Sequence, residues 1–485
     1  MRFFTFFLML SLILTACAPL ATRHASETTE AVPTSAPVQP TTALSNIPTS
    51  ESPASVGNAT FKTSLLATEW KDKTEGNVLF PLDPASGQAL LGYTPISLGQ
   101  SSYHAFSPNH RTLAVMTYPT PSTLNGDLLL VDLPTWKTQR FELKLVGWVS
   151  TMVFSPNGQQ LAVAHGDTVH WLTIFDLQKG MITAQSETDS YVPRLKFTES
   201  GKELMLYSPT IDIMKGSSAG PPQVTLLDGA NLSPLWSAEL EGIRDGIFPK
   251  DETVTTKNFY EPGNALYFYP GLTFAPERDA LYIVHADSDQ LTTVDFENQK
   301  VETVEIQTQL SWFERLLSFT AGVAHAKVAD GLIKQAAISP DGKFLYVVGV
   351  NNASFQDKQG NLQMEQTPLG LEIIQTKDGS RVERFETDAT DMVPSPDGRF
   401  LYLRAWGTKA PWTEVFDTTN RQFGARQEWI FAMPAPRING EYLLVSTYST
   451  DEYTHHMSVL KQDGSKVLSK WTVSGENYVY WLTTP

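Results

Sequence analysis

Cysteine is almost absent from this chain, since Cys17 is the only cysteine in 485 residues. A single cysteine excludes an internal disulfide and any metal site built from several thiolates. Positive charge is also scarce: 36 Lys and Arg residues stand against 52 Asp and Glu residues, which gives a formal net charge of −16. Because an acidic surface repels phosphate backbones, we expect no nucleic-acid partner.

Motifs that would indicate a cofactor or a known reaction are missing as well. The sequence has no Gly-x-x-x-x-Gly-Lys-Ser/Thr phosphate loop, no His-Glu-x-x-His zinc motif and no spaced cysteines. We therefore predict no cofactor and no metal, and assign no catalytic residue. Hydrophobic material is not lacking, since 41% of the residues are hydrophobic and 11% are aromatic. That composition is typical of a folded body.

No hydrophobic run is long enough to cross a bilayer, which takes about 20 residues as a helix. Residues 3–13 form a shorter apolar run after Arg2, a pattern typical of a signal peptide. Residues 14–17 read Leu-Thr-Ala-Cys, which resembles a bacterial lipobox, where a small residue precedes a cysteine that becomes the lipidated N-terminus. The resemblance implies a lipoprotein signal peptide over residues 1–17 and a lipid anchor on Cys17 in the bacterial membrane or at the cell surface. An ordinary signal peptide with an incidental cysteine is the alternative.

Residues 18–59 are rich in Ser, Thr, Pro and Ala and contain few large apolar residues. Such a segment cannot bury enough apolar surface to fold, so we predict a disordered tether. A flexible chain of about 40 residues has a typical reach of roughly 35 Å. The folded body would then stand off the membrane, outside the cytoplasm.

A short turn recurs along the rest of the chain. Its clearest copies read Ser-Pro-Asp-Gly at residues 339–342 and Ser-Pro-Asp-Gly at residues 395–398, each between apolar segments. Variants occur at residues 107–110, 155–158, 198–201 and 275–278. Proline presets φ and Asp-Gly or Asn-Gly supplies the turn backbone, so each copy predicts a β-hairpin. Recurrence at intervals of tens of residues indicates the blades of a β-propeller.

Residues 60–485 predict repeats of four strands, which we name a, b, c and d. The recurrent turn joins a to b, and c often ends in an aspartate such as Asp132 or Asp176. The first repeat lacks an a-strand, and residues 477–482 supply one after the last repeat. The two fragments would complete one sheet, which closes a ring and removes two open sheet edges. We therefore predict an all-β fold: a single β-propeller of four-stranded blades, closed by pairing of the N- and C-terminal strands, with eight blades, or seven as the alternative.

Two stretches carry a resemblance to a known kind of repeat. Residues 83–88 read Asp-Pro-Ala-Ser-Gly-Gln after an apolar strand, and residues 339–347 read Ser-Pro-Asp-Gly-Lys-Phe-Leu-Tyr-Val. They resemble the YVTN-type and WD-like β-propeller repeats of exported bacterial proteins. The resemblance covers residues 60–485 and implies the propeller fold. Such proteins include binding scaffolds, assembly factors and a few enzymes, so it implies no single function.

The two faces of the predicted propeller differ in their connections. The a–b and c–d turns are uniformly short, and we name their side the short-turn face. The b–c and d–a connections carry nearly all the insertions, and we name their side the long-loop face. The insertions are residues 118–126, 208–223, 241–270, 307–332, 351–370 and 406–411.

Binding residues favour loops on a rigid scaffold, so the long-loop face is the predicted functional surface. We predict a monomeric binding scaffold for a protein, a peptide or a glycan. An exported hydrolase or lyase with a site at the central channel is the alternative, because enzyme sites in propellers are assembled from several blades.

Two kinds of side chain on the long-loop face are candidate ligand contacts. Trp312, Trp406 and Trp412 are aromatic residues of the type that stacks on sugars or anchors a protein partner. His165 and His285 each follow the proline of a turn by nine residues, which places both at the end of a b-strand. A metal or proton-transfer role and a plain role as polar strand ends are both open for the two histidines.

Residues 307–332 also predict a partly helical segment. Ser311 and Glu314 form a capping box, and an apolar stripe follows at helical spacing. The stripe is Leu310, Phe313, Leu317, Thr320 and Ala324. A helix packed on the propeller and a helix that binds a partner or plugs the channel are both open.

Overall fold

Regular structure in the described part of the chain consists of β-strands alone. The computed structural model describes residues 65–72, 76–83, 88–118, 125–188, 190, 192–209, 220–250, 253–255, 258, 264–308, 331–356, 362–395, 397–405, 412–427, 431–435, 442–449, 454–474 and 479–482. The predicted signal peptide with Cys17, the tether, the predicted helix, Trp312 and Trp406 lie outside these residues. A helix long and apolar enough to cross a membrane is not found among those described.

The strands of the first half are β1 (Leu65–Asp72), β2 (Gly76–Leu82), β3 (Ile96–Phe106), β4 (Thr112–Tyr118), β5 (Asn125–Asp132), β6 (Lys137–Val146), β7 (Trp148–Phe154), β8 (Gln160–Gly166), β9 (His170–Asp176), β10 (Met181–Thr188), β11 (Arg194–Phe197), β12 (Glu203–Ser208), β13 (Gln223–Asp228), β14 (Pro234–Glu239), β15 (Gly246–Pro249) and β16 (Ala265–Tyr269). Those of the second half are β17 (Gly271–Phe274), β18 (Ala280–Val284), β19 (Gln290–Asp295), β20 (Lys300–Glu305), β21 (Gln307–Thr308), β22 (Gly331–Ile338), β23 (Phe344–Gln356), β24 (Leu362–Pro368), β25 (Leu371–Gln375), β26 (Ser380–Phe385), β27 (Asp391–Pro394), β28 (Phe400–Ala405), β29 (Trp412–Asp417), β30 (Gln422–Gln427), β31 (Phe431–Ala435), β32 (Tyr442–Ser449), β33 (Thr454–Lys461), β34 (Val467–Ser474) and β35 (Val479–Leu482).

The described strands form seven sheets, which we number in chain order. Sheets 2, 3, 4, 6 and 7 each contain four consecutive antiparallel strands: β7–β10, β11–β14, β17–β20, β27–β30 and β31–β34. Sheet 5 has the four-strand order β22-β23-β25-β26 at its centre, with further strands added. Sheet 1 has the order β35-β1-β2-β3-β4-β5-β6.

Sheet 1 contains two four-strand repeats, because the long strand β3 is shared between them. The first residues of β3 pair with β2, and its later residues pair with β4. Leu66, Leu79 and Leu98 of the first repeat share one hydrophobic cluster with Leu113 and Val115 of the second. The sheet therefore folds onto itself at β3.

The last strand of the chain pairs with the first. β35 runs antiparallel to β1, with Leu482 opposite Leu66 and Val479 opposite Glu69. This pairing is the one predicted from the two incomplete repeats of the sequence. The number of blades and the closure of a complete ring stay predictions.

Successive sheets pack face to face through shared hydrophobic clusters. Between sheets 2 and 3, Ala162 and Leu172 pack with Leu204 and Leu206. Clusters of the same kind join sheets 1 and 2, 3 and 4, 4 and 5, 5 and 6, and 6 and 7. Several a-strands contact the next a-strand, as β3 does β7 and β22 does β27. The d-strands β6, β14 and β20, in contrast, are mostly exposed. The sheets thus radiate outward from their a-strands, and the predicted all-β propeller fold is confirmed.

The recurrent turns form the predicted hairpins, and a serine side chain closes the clearest copies. In the turn between β22 and β23, Ser339 Oγ donates to Asp341 Oδ1 at 2.7 Å and accepts the N–H of Phe344 at 2.9 Å. The N–H of Gly342, whose φ is 69°, donates to Ser339 O at 2.9 Å. The same pair of serine contacts occurs at Ser107, Ser155 and Ser395.

Neighbouring turns also contact one another on the short-turn face. A Cβ on Gly398 would lie 2.3 Å from Cγ of Pro340, which belongs to the turn of the preceding sheet. Likewise, a Cβ on Gly201 would lie 3.4 Å from Cδ of Pro156, which also belongs to the turn of the preceding sheet. The glycine of one turn therefore packs against the proline of the turn before it, so both residues serve packing between sheets as well as turn geometry.

Gly398→Ala is expected to destabilise the protein more than Gly342→Ala. The two glycines have φ values of 64° and 69°, so either substitution costs about 1–2 kcal/mol in backbone strain. Nothing lies within 4 Å of a Cβ at Gly342, whereas a Cβ at Gly398 displaces Pro340, which should cost about 1 kcal/mol or more in addition. Thermal melting of the two variants measures the difference, and equal melting temperatures would show that the contact between turns adds no stability.

Three of the long connections contain strands that the sequence does not predict. β15 and β16 form an antiparallel hairpin, and β16 adds in parallel to the a-strand β22, with Tyr267 opposite Gly331. β24 pairs with the end of the long b-strand β23, and β21 pairs in parallel with the d-strand β26. Sheet 5 is therefore enlarged, and the β15–β16 hairpin lies along its inner edge.

Candidate functional site

The long-loop face carries an exposed tryptophan that its neighbours hold in place. Trp148 begins the a-strand β7, and 38% of its surface is exposed. Its indole packs on the ring of Tyr118, with centroids 5.1 Å apart. Tyr118 is buried, and its hydroxyl donates to Gly147 O at 3.2 Å and accepts the Val149 N–H at 3.1 Å. Because these bonds fix the phenol beneath the indole, Trp148 offers a preorganised apolar surface.

A close approach of two glycines sets the position of this tryptophan. Trp148 lies opposite Gly166 of β8. A Cβ on Gly147, whose φ is 83°, would lie 2.1 Å from the carbonyl carbon of Gly166, so no larger residue fits there. Val146, before Gly147, is 55% exposed, and Val169, against Gly166, is 41% exposed. We name Val146, Trp148 and Val169 the Trp148 patch.

His165, a predicted ligand contact, is buried next to this patch. Its Nδ1 lies 2.8 Å from Val146 O, and its Nε2 lies 2.9 Å from Thr173 Oγ1. A carbonyl oxygen only accepts, so Nδ1 donates and Nε2 accepts the threonine hydroxyl. Burial lowers the pKa of His165, against the opposing effect of the Val146 hydrogen bond. The imidazole is therefore neutral at pH 7 and joins strands within the fold.

His285 is also buried, just beyond the end of β18 in sheet 4. Its Nε2 lies 2.8 Å from Thr292 Oγ1, which in turn lies 2.7 Å from Thr303 Oγ1. Burial lowers the pKa of His285, while the charge of Asp287 acts in the opposite direction. Sheet 3 separates the sheets of the two histidines, and the described residues contain no cluster of three metal-ligating side chains. The geometry favours polar strand ends over a shared metal or proton-transfer site, and a ligand contact at either histidine stays a prediction.

Trp412 begins strand β29, directly after the predicted insertion at residues 406–411, and it is only 4% exposed. It belongs to the hydrophobic cluster between sheets 5 and 6. Its Nε1 donates to Asp388 Oδ2 at 3.1 Å, and the guanidinium carbon of Arg426 lies 3.8 Å from the ring centroid. The protein's own side chains thus cover this indole. Ligand contacts of Trp412, and of Trp312 and Trp406 outside the described residues, stay predictions.

A buried carboxyl group lies in the connection that leads to β15. Asp245 is 5% exposed, and its Oδ2 accepts the Tyr207 hydroxyl at 2.7 Å. Burial raises the pKa of Asp245 to about 6, although the Tyr207 hydrogen bond and the charge of Arg194 lower it. Burial, with the charge of Asp245, also raises the pKa of Tyr269 to about 12. Because Arg194 begins the a-strand β11 and Tyr269 lies in β16, this acid lies near the inner ends of the sheets on the long-loop face.

A cleft with a volume of about 400 Å³ lies between sheets 4 and 5 on the same face. Lys334 of β22 lies in it, and its Nζ donates to the carbonyl oxygens of His285 at 2.6 Å and Ser288 at 3.2 Å. Arg381 of β26 pairs with Glu372 at 3.3 Å. We name this space the Lys334 cleft.

A larger cavity of about 790 Å³ lies between the same two sheets on the short-turn face. Its walls carry charges of both signs, among them Arg278, Lys300 and Asp341. The turn at residues 275–278, which has Glu and Arg where other copies have Asp and Gly, forms part of it. Cavity volume therefore does not favour the long-loop face as the binding surface. The exposed and rigid Trp148 does favour it.

Sequence patterns do not identify three residues of this face: Trp148, Asp245 and Lys334. The exposure of Trp148 and Lys334 depends on how the neighbouring sheet packs against their own. A local sequence pattern contains no information about that packing. The glycine directly before Trp148, at the start of an apolar strand, is the one local signal available. Asp245 has none, because its partner Tyr207 is distant in the sequence.

No protein-family model and no curated protein match this chain. Similar solved structures include a eukaryotic initiation factor, at 12% identity and a TM-score of 0.48 over 87% of this chain and 99% of that chain. The β-propeller domain of Cps50 (Swd1) from Myceliophteria thermophila matches at 10% identity and a TM-score of 0.38, over 77% of this chain and 96% of that chain. TolB from Acinetobacter baumannii matches at 12% identity and a TM-score of 0.32, over 75% of this chain and 65% of that chain. Matches at these identities concern the fold, and none identifies a ligand or an activity for this chain.

Proposed function

We propose that the protein is a membrane-tethered, extracytoplasmic β-propeller that binds a protein, peptide or glycan through its long-loop face. The propeller has eight blades in a ring closed by β35 and β1, and it acts as a monomer without nucleic acid. The lipobox-like residues at 14–17 and the composition of residues 18–59 support the anchor and the tether. The net charge of −16 supports the exclusion of nucleic acid.

The Trp148 patch is the observation that carries this proposal. Rigid, partly exposed tryptophans are enriched where partners bind, because they bury a large apolar area at a small cost in conformational entropy. Trp148 is fixed through Tyr118, and Val146 and Val169, on the backbone next to Gly147 and Gly166, are further exposed apolar residues. A protein, a peptide or the face of a sugar ring suits such a surface.

Trp148→Ala is expected to weaken binding of the partner about 30-fold, which corresponds to roughly 2 kcal/mol for an aromatic anchor. The partner is first isolated from the native envelope with the full-length protein, and its affinity for each variant is then measured. Met181→Ala is the matched control, since Met181 is 51% exposed but begins β10 at the short-turn face. A loss of affinity in the Met181 variant alone would place binding on the other face.

Cys17→Ser is expected to abolish lipid labelling and membrane attachment. Cys17 is the only cysteine, so no other thiol can carry the lipid. Labelled palmitate supplied to bacteria that express the variant measures lipidation, and fractionation measures release. Ala18→Ser, at the adjacent position, should label like the wild type. Normal labelling of Cys17→Ser would refute the anchor.

The buried acid Asp245 supports a second candidate, an exported hydrolase or lyase acting at the central channel. An acid with a pKa near 6 exchanges protons readily at neutral pH, and Tyr207 and Arg194 beside it are a further donor and a positive charge. A panel of chromogenic esters, glycosides and polyuronides tests this candidate. Turnover by the wild type that Asp245→Asn abolishes would favour it, and no turnover of any of them would favour the binding scaffold.

A further inference from the structure

The most exposed large apolar side chain among the described residues lies on a short turn of sheet 1. Leu91 is 97% exposed. It begins residues 91–95, which we name the Leu91 turn. These residues leave the outer edge of the first repeat after Ala89 bridges to Leu82, and the chain rejoins the edge where β3 begins to pair with β2. The Leu91 turn therefore projects from the edge of the sheet.

Two aromatic residues hold the Leu91 turn in place. Trp136, in the turn between β5 and β6, donates from Nε1 to Thr94 O at 2.7 Å. The ring of Tyr93 packs edge-on against the Trp136 indole, with centroids 5.6 Å apart. Trp136 also packs against the hydrophobic cluster of sheet 1. Leu91 is therefore presented to solvent on a fixed support.

The predicted tether joins the fold next to this turn. Leu65, the first residue of β1, lies opposite Leu82, and Leu82 forms the bridge to Ala89, two residues before Leu91. Neighbouring strands are about 4.8 Å apart, so the segment before β1 joins the fold roughly 10 Å from Ala89. The start of β1 and the turn that carries Trp136 both lie on the short-turn face. The exposed leucine thus lies where the chain leaves toward the proposed lipid anchor.

The surroundings of the Leu91 turn suit a lipid surface. Arg111 and Lys137 are exposed cations on either side of the turn that carries Trp136, and Asp132 of that turn already accepts the N–H and the hydroxyl of Thr135 at 2.9 and 3.0 Å. Asp83 is a half-buried acid in the turn before Leu91. The local charge is therefore mixed, and more distant acidic residues are screened, because the Debye length is about 8 Å at physiological ionic strength.

We propose that the Leu91 turn is a membrane contact, in which Leu91 enters the lipid surface and the short-turn face rests on it. Apolar side chains enter the acyl boundary of a bilayer, and tryptophan and tyrosine favour the level of its headgroups. A tether with a reach of roughly 35 Å keeps the body at a high effective concentration near the bilayer, so a weak contact is enough. The long-loop face with Trp148 then points away from the membrane, toward a partner. This inference rests on the proposed function, because it orients the tethered body.

Binding to phosphatidylcholine vesicles tests the contact without the anchor. The full-length protein with Cys17→Ser is floated with vesicles over a series of lipid concentrations. We expect it to bind, and the further change Leu91→Ser to weaken binding at least fivefold, because the apolar side chain no longer leaves water. Leu235→Ser is the matched control and should leave binding unchanged, since Leu235 is 49% exposed but lies in β14 of sheet 3.

The lipidated protein tests the orientation. Cys17, the only cysteine, carries the lipid there, so Leu91→Cys supplies the only free thiol. A fluorophore on this thiol should be quenched by nitroxide-labelled lipids. The same fluorophore on Val169→Cys, at an exposed position of the long-loop face, should not be quenched. Equal quenching at the two positions would refute the orientation.

Absence of vesicle binding, or an equal loss in Leu235→Ser, overturns the membrane contact. Light scattering gives the mass of each variant. A dimer that Leu91→Ser converts to a monomer, without vesicle binding, would assign the turn to a contact between two copies of this chain instead. Lipid labelling of Cys17 judges the anchor separately. Labelled wild type with no vesicle binding by Cys17→Ser refutes the contact alone, and vesicle binding without labelling refutes the anchor alone.

Discussion

Deletion of residues 477–485 is expected to remove most or all of the stability of the protein. β35 covers β1 along Leu66, Ala67 and Thr68, which are 1%, 0% and 5% exposed. Without β35 these residues form an open sheet edge with unpaired backbone groups and bare apolar surface. We expect a loss of several kcal/mol, which is comparable with the whole stability of a typical domain, about 5–15 kcal/mol.

Thermal melting followed by circular dichroism, together with limited proteolysis, measures this loss. Deletion of residues 483–485 alone is the matched control, because it leaves β35 complete. A peptide of residues 477–485 added in trans should restore part of the melting temperature if strand pairing is the cause. A truncated protein that melts like the parent would show that β35 does not close the ring.

Terminal pairing could be predicted from the sequence because it depends only on local patterns. The first repeat lacks an a-strand and residues 477–482 supply one, so the missing and the surplus strand identify each other. The hairpin at residues 339–342 is equally local, since the contacts that close it join residues between Ser339 and Phe344. Strands and turns can therefore be predicted when their hydrogen-bonding partners are the neighbouring strands or residues of the same repeat.

Side chains at sheet-to-sheet contacts could not be predicted in the same way. Trp412 lies beside an insertion in the sequence, yet Asp388 and Arg426 cover its indole. Lys334 faces the cleft because the turn after β18 supplies two carbonyl oxygens to its ammonium group. In a separate case, the β15–β16 hairpin pairs with β22, which comes much later in the chain. These arrangements depend on packing between repeats, and the sequence of one repeat does not show which side chains of the next repeat it will contact.

Asp245→Asn is expected to stabilise the protein at neutral pH. The ordinary pKa of this carboxyl group is 3.8, and burial raises it to about 6 in the folded protein. Between these two values the folded state binds more protons than the unfolded state, so stability falls as the pH rises through this window. Above about pH 6 the loss is complete, and a shift of about two pKa units corresponds to on the order of 3 kcal/mol.

Asparagine keeps an oxygen that accepts the Tyr207 hydroxyl but cannot ionise, so the variant should lack this loss. Melting temperatures measured from about pH 4 to about pH 8 should coincide at the acid end, diverge in favour of the variant up to about pH 6, and then stay apart. Glu187→Gln, at an exposed position of β10, is the control for the loss of a surface carboxylate. A variant that melts below the wild type at pH 7.5 would show that Tyr207 and Arg194 stabilise the carboxylate more than burial opposes it. In that case the pKa of Asp245 lies low, and the physical basis for a proton-transfer site at the channel is lost.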